Sequence, residues 1–300
     1  MNGESLLLVL AAIQGGLVIL DFVDRLATRR SRYEGERLRP EGVVFLAAVL
    51  ITFLAMQYGG LRLVPRAGEL LADVRRGFAG LLGRPLEREP MGPLPLAVTA
   101  VFAFYGAGFW DYLLHRAFHS GRWLWFAHEN HHLPNQVFLA MPGIAVRPFA
   151  VVAVFPVLLA TILSTYAVLA LFGWPLWDLE PLEAVLFVQV TVLGASHSSF
   201  LRRFRVVHEG MKRLALTSPQ EHVLHHTVDL KGNYGNFTTL WDRLFGTYLN
   251  PLLAQHQGHR LGLPYDQDFL GTLTLGRWKL PERWRRRLQV ARYCNLDPNG

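Results

Sequence analysis

The sequence predicts an all-α integral membrane protein with four to five transmembrane helices and a cytosolic, histidine-rich helical cap. Three observations predict it. The 300-residue chain is 51% hydrophobic, and its mean hydropathy is +0.21, a value that soluble domains of this length seldom reach. The apolar residues are gathered into runs approaching the roughly 20 residues that a helix needs to cross a bilayer. Nine of the 12 histidines fall in three short clusters and at the end of one run.

Taken in order, Leu6–Val23 is apolar apart from Gln14 and Asp21. Nothing positive precedes it and no clean small-x-small cleavage site follows, so it reads as a retained span rather than a secretory signal. Val43–Tyr58 is uncharged, and Leu94–Leu114 carries one charge, Asp111, near its end. Phe149–Phe172 is uncharged, and the shorter Leu182–Ser196 carries only Glu183. A buried helix of a soluble protein accounts for one such run but hardly for the whole series. Between the first two runs, Asp24–Glu41 holds Arg25, Arg29, Arg30, Arg32, Arg37 and Arg39, which the positive-inside rule assigns to the cytoplasm. Ala67–Leu82 has the pattern of an interfacial amphipathic helix.

The last two runs are broken by Gly173-Trp174-Pro175-Leu176-Trp177. Proline stops a helix and tryptophan favours the membrane–water interface. The two runs then form a hairpin that returns the chain to the side it left, so the histidine-rich stretches before and after it share one face. Residues 201–300 contain no long apolar run and read as a polar cap. Arg277–Arg292 mixes Trp278, Leu280, Trp284 and Leu288 with many arginines, as either a membrane-surface helix or a solvated basic helix does.

The net charge of +7 rests almost wholly on arginine, with lysine only at Lys212, Lys231 and Lys279. Beside so many apolar runs, that charge points to anionic lipid headgroups and cytoplasmic loops rather than to a nucleic acid. The expected location is a bacterial cytoplasmic membrane with the histidines facing the cytoplasm: arginine bias accompanies GC-rich bacterial genomes, and the basic tail after Leu201 puts the histidine-bearing face on the cytoplasmic side. Cys294 is the sole cysteine, so neither an internal disulfide nor a cysteine-rich metal site is available.

The chemistry lies in the histidines. His115 and His119 stand four apart where the third run emerges, on one face of a helix. His128-Glu-Asn-His131-His132 and His222-Val-Leu-His225-His226 repeat a second pattern. Here an i, i+3 pair is expected to share a face, with the adjacent i+4 residue turned about 100° away toward a neighbouring metal. His197 stands alone at the end of the fifth run. A lone histidine is more often a hydrogen-bonded core residue than a ligand, but two HxxHH motifs beside an HxxxH have no good structural use, since each buried imidazole needs a partner. With the clusters read as metal ligands, His197 joins them. His208, His256 and His259 fall outside the pattern, at the surface or behind the ligands. Eight or nine imidazoles exceed what one ion accepts, so two ions follow, and an all-imidazole site suits zinc, copper or iron. A pair of ions beside a membrane, rather than a closed four-ligand zinc site, points to oxygen chemistry and hence to iron.

The ordered set His115-x-x-x-His119, His128-x-x-His131-His132 and His222-x-x-His225-His226, followed by Asn233-Tyr234-Gly235-Asn236 and by Thr239 through Tyr248 (TLWDRLFGTY), resembles the fatty acid hydroxylase / sterol desaturase superfamily. The resemblance covers roughly residues 95–250. It implies a transmembrane bundle with a cytosolic di-iron cap that consumes O2 and two electrons to hydroxylate, desaturate or oxidatively cleave a lipid. Under it, His115, His119, His128, His131, His132, His222, His225 and His226 are iron ligands. Asp242 and Arg243 support the ligands from outside, or form a local ion pair in a packed turn. The fatty acid 2-hydroxylase branch carries a further histidine pair where this chain has only His197, with Leu201 at the i+4 position. Asp111 lies one turn before His115, able to orient its ring or merely to mark the membrane exit.

The expected organisation is therefore N-terminal spans and Arg-rich connections over 1–93, the di-iron domain over 94–250 and a basic tail over 251–300. The chain lacks a flavin or nicotinamide fingerprint, which leaves the electrons to an external reductase, ferredoxin or cytochrome. A sterol, carotenoid or ether lipid is as compatible a substrate as a fatty acyl chain. Two readings from other classes are a membrane zinc hydrolase, with Glu129 or Glu221 as general base, and a metal transporter.

Overall fold

The computed structural model describes residues 64–87, 91–132, 151–177, 180–259, 261–268 and 276–288, with separate positions between 9 and 24 and at 270, 271 and 274. The expected span at Val43–Tyr58 and most of the Arg-rich connection lie outside the described residues.

The described chain is mostly helical: α1 (Val64–Leu81), α2 (Pro93–Ser120), α3 (Arg122–His132), α4 (Val151–Leu171), α5 (Glu180–Ser196), α6 (Arg205–Arg213), α7 (Pro219–His225), α8 (Leu240–Leu244) and α9 (Glu282–Arg287). Two-residue strands, β1 (Leu86–Glu87) and β2 (Leu176–Trp177), pair in parallel and tie the end of α1 to the turn after α4. Arg84 reinforces the tie by donating to the Trp174 carbonyl at 2.9 Å.

Helix α2 organises the rest. Prolines at its start lack the N–H that a first helical turn leaves unpaired, and an unbroken apolar stretch follows. Its 28 residues span about 42 Å at 1.5 Å per residue, more than the ~30 Å of a bilayer core. Among the described residues it is the one helix long and apolar enough to cross a membrane, with Pro156–Leu171 a shorter apolar helix. Helices α3, α4 and α5 all pack on α2. Ala103, Phe104 and Ala107 of α2 meet Val185 and Val192 of α5 and Phe237 of the cap. The α4–α5 pair makes the expected return, with Gly173 at φ +70° in its turn, and brings the end of α5 to the end of α2.

The cap lies directly on α2. A Cβ at Gly108 would stand 2.3 Å from Thr238 Cγ2, so glycine is what allows this approach. The Trp241 indole donates to the Tyr105 carbonyl at 2.7 Å, and the Tyr105 hydroxyl donates to the Leu214 carbonyl at 2.7 Å. Residues 261–268 also join the cap: Leu261 packs on Val223, and Tyr265 and Gln267 both donate to Glu129. Of the Arg277–Arg292 segment, the described part forms only the short α9, and Arg285 is drawn in against Asp266.

Candidate metal centre

Helix α2 presents His115 and His119 from its last turns, and α3 returns over them after Gly121 with His128, His131 and His132. His197 follows the end of α5. Helix α7 carries His222 and His225, with His226 at its C-cap, and is well specified locally. Ser218 caps it, Pro219 occupies its first position, and Glu221 completes a capping box by accepting from the Ser218 backbone N–H.

The nine rings form two adjoining sets. One comprises His115, His119, His128, His132 and His225, the other His131, His197, His222 and His226, and within each set the candidate ligand atoms all lie within 4.8 Å of one another. Each HxxHH motif serves both sets. The division differs from the expected one, because the i, i+4 pairs His128/His132 and His222/His226 stay together while His131 and His225 cross to the other set. The reason is angular: at about 100° per residue, i+4 lies some 40° from i and i+3 some 60° to the other side.

The Nε2 atoms stand where ligands of one cation stand. His128 Nε2 is 2.9 Å from His115 Nε2 and 3.0 Å from His132 Nε2. His222 Nε2 is 3.0 Å from His197 Nε2 and 3.1 Å from His226 Nε2, and His197 Nε2 is 3.4 Å from His131 Nε2. Metal–nitrogen bonds of about 2.0–2.1 Å put neighbouring ligand atoms about 2.9 Å apart in an octahedron and about 3.4 Å apart in a tetrahedron. Hydrogen bonding alone does not account for the arrangement, since one ring nitrogen is a single donor or a single acceptor, yet His128 Nε2 and His222 Nε2 each face two others. Among the described residues, the buried Nε2 atoms of His119 and His225 have no hydrogen-bond partner. These donor sets fit two first-row metal ions.

Backbone carbonyls fix the rings from behind. Nδ1 of His115 bonds to the Tyr234 carbonyl, that of His225 to the Gly232 carbonyl at 3.0 Å, and that of His197 to the Leu193 carbonyl at 2.8 Å. A carbonyl only accepts, so Nδ1 carries the proton and Nε2 offers its lone pair to the centre. Asp111 does not orient His115. It accepts from the Asn236 backbone N–H at 3.1 Å and from its side chain at 2.8 Å, and so holds the loop that supplies the Tyr234 carbonyl. Asp242, fully buried, holds the same loop by accepting from Tyr234 N and Gly235 N at 2.8 Å and from Thr247 Oγ1 at 2.7 Å. Arg243 makes no pair with Asp242. It lies 3.8 Å from Glu221 and over the Tyr248 ring. Asn233, at φ 52°, closes the loop by donating to the Glu221 and Leu249 carbonyls and accepting from Leu249 N. These carbonyl acceptors escape residue-by-residue reading.

Of the histidines outside the pattern, His208 is buried against Ser218 Oγ at 2.8 Å, His256 bonds to the Asn250 carbonyl, and His259 pairs with Asp229. None joins either set.

Burial is the largest cause in holding His128, His131, His132, His222 and His226 well below the usual histidine pKa of 6.5, and it pushes His225 down to about 4. Neutral imidazole is the form that binds metal. The unfolded chain takes up these protons near pH 6.5 and the metal-free native state does not, so the stabilisation is fully present above about pH 6.5 and is lost as the pH falls. Thermal melts of metal-free protein in mild detergent are expected to show a Tm that drops steadily below about pH 6.5; a Tm independent of pH there would contradict neutral buried rings.

Residues 100–247 match the family model described as fatty acid hydroxylase. A Delta(7)-sterol 5(6)-desaturase from Eremothecium gossypii is 29% identical over 166 residues, which is 55% of this chain and 42% of that protein. The chain thus spans about two fifths of the length of the curated relative it matches. No solved structure matches it significantly. With the motif set, the helical cap and these matches together, residues 100–247 form a domain of the fatty acid hydroxylase / sterol desaturase type.

Proposed function

We propose that this chain is a membrane-bound oxidoreductase that uses O2, two irons and two externally supplied electrons to oxidise a C–H bond of a lipid. The observation that carries the reading is the pair of adjoining, buried, all-imidazole sets of five and four rings. His115, His119, His128, His132 and His225 would hold one iron, and His131, His197, His222 and His226 the other. The bound irons would supply the O2 and electron chemistry that no side chain offers. The protein orients each ring through its carbonyl partner, keeps the rings neutral, and excludes bulk water by burial.

For hydroxylation the balance is RH + O2 + 2 e⁻ + 2 H⁺ → ROH + H2O. For desaturation the lipid loses two hydrogens and both oxygen atoms leave as water. The electrons come from a reductase, ferredoxin or cytochrome. The lipid tail enters from the bilayer between helices, and the centre faces the cytoplasm. The name of the matched relative favours a sterol-like ring system or another long apolar lipid over a polar substrate. The N-terminal spans, the di-iron domain over 94–250 and the tail over 251–300 are proposed as its organisation.

A zinc hydrolase is less well supported, because both candidate bases are already engaged. Glu129 accepts from Tyr265 and Gln267, and Glu221 from Ser218 and Tyr248. A transport site would place its groups mid-span, whereas these rings sit at helix ends and in the cap.

The test is incubation of iron-loaded protein in lipid vesicles with ¹⁸O2 and a chemical or flavoprotein reductant, followed by mass spectrometry of the lipids. A hydroxylase yields product carrying one ¹⁸O, and a desaturase yields unlabelled product lighter by two hydrogens. Turnover that proceeds equally without O2 would overturn the reading.

A further inference from the structure

The N-terminal apolar run precedes the region matched by the family model, yet Asp21 within it and Asp24 just after it both reach the turn that follows His197. Asp21 is fully buried and Asp24 nearly so. Three residues apart, they share one helix face. Asp21 Oδ1 accepts from Ser198 Oγ at 2.6 Å and from the Phe200 backbone N–H at 3.0 Å. Ser198 Oγ in turn accepts from Leu201 N at 3.2 Å. Asp24 pairs with Arg203 at 2.6 Å. Both contacts fall on the 198–203 turn, which begins one residue after His197. A carboxylate buried within an apolar span is costly and persists where it has a partner and a task, and here the partner is the segment that carries a candidate ligand.

His197 differs from its companions. The other eight come from helix motifs that supply two or three ligands each, so their spacing is fixed by helix geometry. His197 comes singly from just past the end of α5, and its Nε2 must meet His222 at 3.0 Å and His131 at 3.4 Å. Its own ring bond, to the Leu193 carbonyl, fixes it to α5 but not to α7. The Asp21 and Asp24 contacts fix the far side of the same turn.

We propose that Asp21 is a positioning residue for the four-histidine set, acting through Ser198 and the 198–203 turn on His197, with Asp24 as its auxiliary. This rests on the reading of the two sets as metal sites. Removing the Asp21 carboxylate is expected to loosen the four-histidine set more than the five-histidine set, because Ser198 adjoins His197 directly, while the rest of the turn stays tied to α7 by the Gln220 bonds to the Arg202 and Phe204 carbonyls.

The experiment is Fe(II) binding under anaerobic conditions by the full chain in mild detergent, competed with a chelator and read as metal per chain, with thermal melts alongside. His197→Ala and His119→Ala serve as references for the two sets. Asp21→Ala is expected to weaken one of the two metals about 10–100-fold, the range seen for partners outside the ligand shell, with the fingerprint of His197→Ala and not of His119→Ala. Asp21→Asn retains an accepting oxygen and is expected to restore most of the affinity. Ser198→Ala, a milder change that keeps the Phe200 bond, is expected to fall between. Wild-type affinity for both metals in Asp21→Ala would overturn the proposal. So would equal loss of both metals with a lowered Tm, which would make Asp21 a fold anchor. If the parent chain itself binds no metal pair, the underlying reading fails instead.

Discussion

Asp242→Ala is expected to destabilise the protein by about 3–5 kcal/mol, since hydrogen bonds to a charged group contribute about 1.5–3 kcal/mol each and the donors left behind stay buried. Three donors lose their acceptor: the Tyr234 and Gly235 backbone N–H groups and the Thr247 hydroxyl. The loss travels to the metal centre, because the freed Tyr234 carbonyl is the one that orients His115. Melts in mild detergent should show the fall in Tm, and metal analysis should show the five-histidine set weakened more than the other. Asp242→Asn is expected to fall between, because its amide NH2 replaces one accepting oxygen and faces either the Gly235 N–H alone or the Tyr234 N–H together with the Thr247 hydroxyl. A fully stable, fully loaded Asp242→Ala protein would mean that the loop holds itself.

Gly235→Ala comes next in size, and its cause is space. An added Cβ would stand 1.9 Å from the Thr238 carbonyl oxygen and 3.0 Å from Asp242 Oδ2. The first obstacle is backbone and cannot swing aside, so the 233–238 loop must open. Overpacking of a rigid site costs typically 1–3 kcal/mol and occasionally more, and backbone obstruction puts this site at about 3 kcal/mol or above. Gly210→Ala is the control. It lies in α6 with nothing within 4 Å of the added carbon, and alanine outranks glycine in a helix by up to about 1 kcal/mol. The paired outcome, a large fall in Tm for Gly235→Ala and none for Gly210→Ala, separates obstruction from a general intolerance of alanine.

Much of the candidate site is legible in the sequence because histidine spacing is itself geometry. Four residues along a helix put His115 beside His119, and the two HxxHH motifs each divide between neighbouring sets. The division itself is not legible in the spacing, because i+3 and i+4 both lie near the face of i and only the angle distinguishes them. His197 is legible only by its place at the end of the fifth run, once the clusters are read as metal ligands. What stayed hidden was the support. The carbonyls of Tyr234, Gly232 and Leu193 leave no residue-type signal, and Asp111 and Asp242 act one step further back, on the loop rather than on the rings. Asp21, visible only as a blemish in an apolar run, meets Ser198 across 177 residues, a separation no local pattern encodes. The fold followed similar lines. The α2 span and the α4–α5 return were written in apolar runs and a Gly-Trp-Pro break. The docking of residues 261–268 onto α3 and α7 was not, because Tyr265 and Gln267 are polar residues in an unpatterned segment.

The central claim is that nine histidines hold two metal ions, and one measurement tests it most directly: iron and zinc per chain in protein purified in mild detergent, beside His225→Ala/His226→Ala. Those adjacent residues belong to different sets, so the double change removes one ligand from each. The account predicts about two metal ions per parent chain and weakening by more than about 100-fold at both sites in the variant, beyond the 10–100-fold that loss of an outer partner costs. One ion or none in the parent, or a variant that keeps the parent's content, would contradict it.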